Sequence, residues 1–157
     1  SSQMEPGQTF SSMAGFRRPA GRWMLVVWIA LLGACAIPVA YYDATTYRNL
    51  TEHKAEMMTL VESFDTLAYS RNETRIDQMR LAFRKAYEYE LGKGKPNSDT
   101  AKQFAVIKNL FEQTVSEYRE TRPGELGRKY FQEAAIVIGQ AFDIAIATEY
   151  AKNTDKR

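Results

Sequence analysis

The sequence predicts an all-α fold, in which one N-terminal transmembrane helix is followed by a three- to four-helix extramembrane domain. Three observations lead to this prediction. The 20 residues 23–42 carry no charged and no amide side chain. Residues 43–157 repeat apolar side chains at the three- and four-residue spacing of an α-helix. No run of alternating apolar and polar residues, rich in Val and Ile and bounded by turns, predicts a strand.

The composition is that of a folded protein, and it excludes several classes of function. Charged residues make up 25% and hydrophobic residues 45% of the 157 residues, which is the range of globular domains. The 21 Lys and Arg residues against 19 Asp and Glu residues give a net charge of +2, so nucleic acid is not an expected partner. One Cys excludes an intramolecular disulfide framework, and one His excludes a multi-histidine metal site.

The N-terminal part is interpreted as a flexible tail, residues 1–22, followed by the transmembrane helix, residues 23–42. At a rise of about 1.5 Å per residue, this helix is long enough to cross a hydrocarbon core of ~30 Å. Arg17, Arg18 and Arg22 precede it, which places the N-terminus on the cytosolic or matrix side by the positive-inside rule. The same three arginines are candidate contacts for lipid phosphates or an acidic partner.

The predicted span has aromatic residues at both ends and small residues along its length. Amphipathic rings prefer the membrane–water interface, and the candidate anchors are Trp23 on one side and Tyr41, Tyr42 and Tyr47 on the other. Small residues four positions apart let a second helix approach closely, although such residues are also common in any span. The candidate packing face comprises Ala30, Gly33, Ala34, Ala36 and Ala40.

The first two helices expected in the extramembrane domain, residues 43–157, are separated by a helix start signal. The residues Ser-Arg-Asn-Glu at 70–73 have the spacing of a capping box. The apolar stripe before this signal comprises Met57, Leu60, Val61, Phe64, Leu67 and Ala68, and the stripe after it comprises Ile76, Met79, Phe83 and Tyr87. Arg71 and Arg75 begin a basic face, which is either solvated or a contact for anionic headgroups or an acidic partner.

Two further helices follow the Gly- and Pro-containing segment 92–96. The third has an apolar face of Phe104, Ile107, Phe111 and Tyr118, and the fourth, residues 125–151, contains Leu126, Tyr130, Val137, Ile138, Phe142 and Ile146. Short loops favour antiparallel neighbours. The apolar run 134–147 is too short for a second span and includes Gln140 and Asp143, so a buried or partner-facing helix is expected.

No constellation in the sequence predicts catalysis. His53 lies three residues before Glu56, but a zinc site needs three or four ligands, so a solvated surface His53 is expected. No nucleophile motif, cofactor motif or metal-ligand set is recognisable. The prediction is a protein that is not an enzyme and has no small-molecule substrate and no cofactor, with a structural phospholipid as the candidate ligand.

These observations leave a structural role in a membrane assembly. The predicted function is that of a non-catalytic accessory subunit of a large inner-membrane energy-transducing complex, of mitochondrial respiratory-chain or ATP-synthase type, supporting assembly and stability. Its partners would be the bilayer and other membrane-protein subunits, contacted through the span and the helical domain. The expected location is the mitochondrial inner membrane, with the N-terminus in the matrix and the C-terminal domain in the intermembrane space. The alternative is a bitopic adaptor of a bacterial secretion, division or signalling assembly, with a periplasmic C-terminal domain.

Overall fold

Four α-helices form the regular structure of the computed structural model, which describes residues 40–153. Helix α1 comprises Ala44–Glu62, α2 comprises Tyr69–Gly92, α3 comprises Ser98–Glu120 and α4 comprises Tyr130–Ala151. Short 3₁₀ turns lie at Ser63–Asp65 and Lys95–Asn97. No strand is present within this range. The prediction of an all-α domain is therefore confirmed for these residues, and the number of helices is four.

The helices form an up-down-up-down bundle within the compact unit Pro38–Arg157. Each helix packs on the next along the chain, and α4 packs closely on α1, so the four helices surround one core. We call one end of the bundle the Asp43 end, because α1 and α3 begin there and α2 and α4 finish there. The opposite end is the Phe64 end, where the chain turns from α1 into α2 and from α3 into α4.

Most of the predicted apolar stripes face the core. The residues that are buried as expected are Met57, Leu60, Val61, Phe64, Ile76, Met79, Phe83, Phe104, Ile107, Phe111, Tyr118, Ile138 and Phe142. Aromatic rings dominate the Phe64 end, where Phe64 and Tyr118 stack with centroids 3.9 Å apart and Phe131 meets both edge-on. The predicted stripe positions Leu67, Leu126 and Val137 are instead 37%, 41% and 50% exposed.

Two predicted helix starts are wrong. Helix α2 begins at Tyr69 with Ala68 at its N-cap, and the 70–73 segment is not a capping box. Its Asn72 is buried and donates instead to the Tyr118 hydroxyl at 3.1 Å and to Ser63 Oγ at 3.0 Å. Helix α4 begins at Tyr130 rather than near residue 125, because Gly124 and Gly127 adopt φ of 79° and 105°, which a right-handed helix does not allow.

The predicted N-terminal span lies outside the described residues, apart from its last three positions. Residues 40–43 are not helical, so the predicted helix does not extend to Tyr42. The physical reason is the cap of α1: Asp43 is extended, and its side chain accepts from the N–H groups of Thr45 and Thr46. Because Asp43 is extended, α1 begins after it and does not continue towards residue 40.

Among residues 40–153, the helix long and apolar enough to cross a membrane is α4, near the C-terminus. Buried residues make up 33% of its most apolar stretch, and its inner face includes Phe131, Ile138 and Phe142. Gly139 faces α1, and a Cβ there would lie 2.7 Å from Sδ of the flexible Met58 side chain. One face of α4 therefore lies in the core and the other is exposed, and the expectation of a buried or partner-facing helix stays a prediction.

Candidate functional site

Charged and polar side chains from all four helices meet inside the Asp43 end. We call this set the Asp43 network. Each helix contributes one residue and the cap residue beside it: Thr46 and Asp43 for α1, Glu90 and Lys93 for α2, Thr100 and Asn97 for α3, and Glu149 and Lys152 for α4. Glu90 and Glu149 are both 0% exposed. A buried charge raises the free energy of the folded protein unless it is paired and hydrogen-bonded. The partners of these two carboxylates therefore determine whether they can be buried in the charged form.

The Glu90 carboxylate has a donor or a cation at each oxygen. Its Oε1 accepts from the Thr46 hydroxyl, which in turn accepts from the Lys93 ammonium. Its Oε2 accepts from Asn97 Nδ2 at 2.7 Å and lies 3.1 Å from Lys93 Nζ. Asn97 Nδ2 also donates to the Glu90 backbone carbonyl at 3.0 Å, which ties the start of α3 to the end of α2.

The Glu149 carboxylate has a similar arrangement at the end of α4. Its Oε1 accepts from the backbone N–H of Asp43 at 2.7 Å. Its Oε2 accepts from Lys152 Nζ at 2.7 Å. The same ammonium donates to Thr100 Oγ1 at 2.9 Å and to Asn97 Oδ1 at 3.3 Å. Asn97 therefore links the two halves of the network, and Glu149 ties the end of α4 to the N-cap residue of α1.

Asp43 combines a helix cap with an ion pair. Besides capping α1, its Oδ2 accepts from the Tyr89 hydroxyl at 2.7 Å and pairs with Lys93 Nζ at 2.8 Å. Partial burial opposes ionisation, but the hydrogen bonds from Lys93, Tyr89 and the Thr45 N–H outweigh it and hold the pKa of Asp43 well below its usual range. Burial likewise opposes a charged Lys93, yet Asp43 and Glu90 raise the pKa of that ammonium.

The network is suited to joining helices. Three carboxylates face two ammonium groups, and the buried carboxylates use donors from neighbouring helices. No group of three or more His, Cys, Asp or Glu residues within the described range could hold a metal ion. This cluster was not predicted from the sequence, because acids beside lysines on a helix are typical of a solvated surface. The available signal was the repeated Glu-x-x-Lys spacing at two helix ends, at 90–93 and 149–152.

His53 is not a solvated surface residue, so that prediction is wrong. Both ring nitrogens are buried, and neither has a hydrogen-bond partner among residues 40–153. The ring lies with its centroid 6.0 Å from that of Phe83 on α2. The polar sequence around His53 suggested an outward face, but the packing of α2 on α1 covers this position.

The predicted contact and anchor residues occupy different surroundings. Arg71 and Arg75 are both exposed, one turn apart on α2. Arg75 also donates to Asn72 Oδ1 at 3.0 Å. Tyr41 is 76% exposed, and the half-buried rings of Tyr42 and Tyr47 lie 6.3 Å apart. Ala40 is half-buried. The other predicted residues lie outside the described range: Arg17, Arg18, Arg22, Trp23, Ala30, Gly33, Ala34 and Ala36.

A second feature is the outward face of α4, which is largely apolar. Ile136, Val137 and Ile144 on this face are 50%, 50% and 62% exposed. From residue 134 to residue 147 the one charged side chain is that of Asp143, and it pairs with Lys54 of α1 at 2.5 Å. The face therefore presents branched apolar side chains on either side of the exposed, uncharged Gln140.

No protein-family model matches the chain, and no curated protein or solved structure matches it either. A functional proposal therefore rests on the residues of this chain and on their geometry.

Proposed function

We propose that the chain is a membrane-anchored, non-catalytic accessory subunit of a large inner-membrane energy-transducing complex, of respiratory-chain or ATP-synthase type. The observation that carries this proposal is the outward face of α4. Ile136, Val137 and Ile144 are at least half exposed on a helix that also supplies the core. Exposed branched side chains on one face of a helix, here on either side of the exposed Gln140, favour a contact with another molecule.

The occupant of this face is a neighbouring subunit of the same membrane complex. Buried contact regions between proteins lose charged residues and keep apolar ones, and this face of α4 has that character. The charge of Asp143 is already matched by Lys54 within the bundle, so a partner would not have to neutralise it. Docking on α4 would bury the branched side chains that the bundle itself leaves in water.

The proposed anchor is the apolar segment 23–42, in the orientation that the three preceding arginines favour. The small residues along it would contact membrane helices of the neighbours, and the helical domain would lie in the intermembrane space of mitochondria. A bound phospholipid is compatible with this position. The polar groups of the Asp43 network support a structural role, because they join the four helices to one another.

The test is extraction of native membranes in mild detergent, followed by native gel electrophoresis and mass spectrometry of the band that contains this chain. Co-migration with core subunits of a respiratory or ATP-synthase complex would support the proposal. Co-migration with secretion, division or signalling proteins would overturn it in favour of the bacterial bitopic adaptor. Migration as a small species would overturn both.

A pair of variants tests the role of α4. Ile144→Asp places a charge at the centre of its outward face, and we expect the chain to leave the complex while the bundle stays folded. The matched control is Leu81→Asp on α2, since Leu81 is 57% exposed and lies on a different helix. Equal retention of both variants in the complex would contradict the assignment of the docking face to α4.

A further inference from the structure

The Asp43 end of the bundle exposes a set of side chains that differ from those of the opposite end. Three large residues project there: Tyr89 is 44% exposed, Leu91 is 46% exposed and Tyr150 is 59% exposed. Lys95, in the loop between α2 and α3, is also exposed. We call these four residues the end surface. At the Phe64 end the loop 122–129 is exposed throughout and contains Leu126 together with Arg, Glu and Lys residues, but no aromatic residue.

The end surface lies where the apolar segment joins the bundle. Segment 23–42 is followed directly by Asp43, and Asp43 is held at the bundle end by its cap to α1 and by the bond from its N–H to Glu149. In the proposed function this segment lies in the bilayer, and residue 42 is bonded directly to Asp43. At ~3.5 Å per extended residue, that tether keeps the end surface close to the headgroups.

The chemistry of the end surface suits the headgroup layer. Tyrosine rings prefer the membrane–water interface, because the ring is apolar and the hydroxyl remains hydrated. A long lysine side chain can place its stem along acyl chains and its ammonium among phosphates. Leu91 lines a mostly apolar groove with Gly94, Lys95 and Ala101, which gives acyl chains or glycerol groups a surface to contact.

The Asp43 network explains how acidic residues are tolerated at this end. Glu90 and Glu149 point into the bundle and are 0% exposed, and Asp43 is paired with Lys93. The exposed acid Asp99 lies 3.6 Å from Lys102. The acids Asp43, Glu90, Glu149 and Asp99 are therefore either buried or paired with lysine, whereas Glu88, one turn before the end of α2, is exposed.

We propose that the Asp43 end rests on the phospholipid headgroup layer, with Leu91 and Tyr150 inserted at the level of the interface and Lys95 at the phosphates. This inference rests on the membrane anchor of the proposed function. It assigns a second lipid contact to the chain, made by the bundle itself, and it fixes which end of the bundle faces the membrane.

The experiment uses the full chain in phosphatidylcholine nanodiscs that contain spin-labelled lipid. A Cys35→Ala background carries one new cysteine, either Leu91→Cys or Tyr150→Cys, which is labelled with an environment-sensitive fluorophore. The matched control is Leu126→Cys, because Leu126 is 41% exposed and lies at the Phe64 end. The native protein labelled at Cys35 reports separately on the apolar segment.

We expect the spin-labelled lipid to quench the fluorophore at Leu91 and at Tyr150 several-fold more than at Leu126. Quenching at Cys35 with equal, weak quenching at these three positions would overturn the surface contact and leave the anchor intact. Strong quenching at Leu126 alone would show that the opposite end faces the bilayer. The absence of quenching at Cys35 would overturn the membrane anchor itself, whatever the bundle positions report.

Discussion

Lys93 is the residue whose removal most directly tests the role assigned to the Asp43 network. Its ammonium lies 2.8 Å from Asp43 Oδ2 and 3.1 Å from Glu90 Oε2. In Lys93→Met the side chain keeps a similar length but loses its charge. Glu90, whose side chain is 0% exposed, then keeps hydrogen bonds from Thr46 and Asn97 and has no cation beside it.

The size of the effect follows from the burial of the two partners. Removing one member of a buried ion pair costs about 3–5 kcal/mol, because the other charge stays buried without compensation. The side chain of Lys93 is 24% exposed, so water partly screens the pair, and we expect a loss at the lower limit, about 3 kcal/mol. For a domain of this size, that loss lowers the Tm by roughly 10 °C.

The assay is thermal and guanidinium unfolding of the full chain in mild detergent, followed by far-UV circular dichroism. The control is Lys95→Met, since Lys95 is exposed in the adjacent loop and its loss should change the free energy of unfolding by no more than about 0.5 kcal/mol. Adding Glu90→Gln to Lys93→Met removes the unpaired charge and should restore about 1 kcal/mol or more. Unfolding of Lys93→Met like that of the control, or additive effects of the two substitutions, would refute the role assigned to this ion pair.

Three further outcomes are expected. Tyr118→Phe removes the hydroxyl that accepts from Asn72 and donates to a backbone carbonyl in a site that is 1% exposed, and thermal unfolding should show a loss of about 1–2 kcal/mol. Asp43 has a lowered pKa in the folded protein, so its contribution to the free energy of unfolding is complete above its unfolded pKa of about 4 and is lost as pH falls further. The difference in the free energy of unfolding between the unsubstituted chain and Asp43→Asn should therefore be smaller near pH ~3 than at neutral pH. Gly139→Leu should cost about 1–3 kcal/mol or more by guanidinium unfolding, because the Cβ position already lies 2.7 Å from a methionine sulfur of α1.

Each of these outcomes has a matched control or a contradicting result. Tyr150→Phe, at a side chain that is 59% exposed, should leave the unfolding temperature unchanged, and an equal effect at both tyrosines would contradict the buried role of Tyr118. A constant difference for Asp43→Asn from neutral to acidic pH would contradict the lowered pKa. Gly92→Ala meets no atom within 4 Å and replaces Gly with a better helix former, so it should not lower the free energy of unfolding. A loss there as large as at Gly139 would contradict close packing as the cause of the Gly139 effect.

The helical class and most of the core could be predicted from the sequence, because burial of a helix face is a local pattern. Met57, Leu60 and Val61 recur at three- and four-residue intervals, and all three are buried. This spacing predicts one buried helix face regardless of which neighbouring helix covers it. It does not specify which neighbouring helix covers which residue. His53 is an example, because it lies in a polar stretch of sequence and yet its ring is covered by α2.

Helix ends were predicted less well, because distant residues cap them. The first N–H groups of α4 are satisfied by Asp65, which accepts from Phe131 N–H at 3.1 Å and from Gln132 N–H at 2.9 Å. Because Asp65 lies 66 and 67 positions away from these two residues, the sequence around the start of α4 does not indicate this cap. The expected start near residue 125 failed for this reason, together with the positive φ of Gly124 and Gly127.

The sequence by itself determined that residues 43–153 form amphipathic helices joined by short loops, since composition and apolar spacing are properties of neighbouring residues. Only the tertiary structure decided that Glu90 and Glu149 are interior groups. Their partners come from four helices, up to 106 positions apart in the chain. A carboxylate beside a lysine has the same local sequence whether it lies in water or in a core. The physical difference is the removal of water, and that requires the whole bundle to assemble.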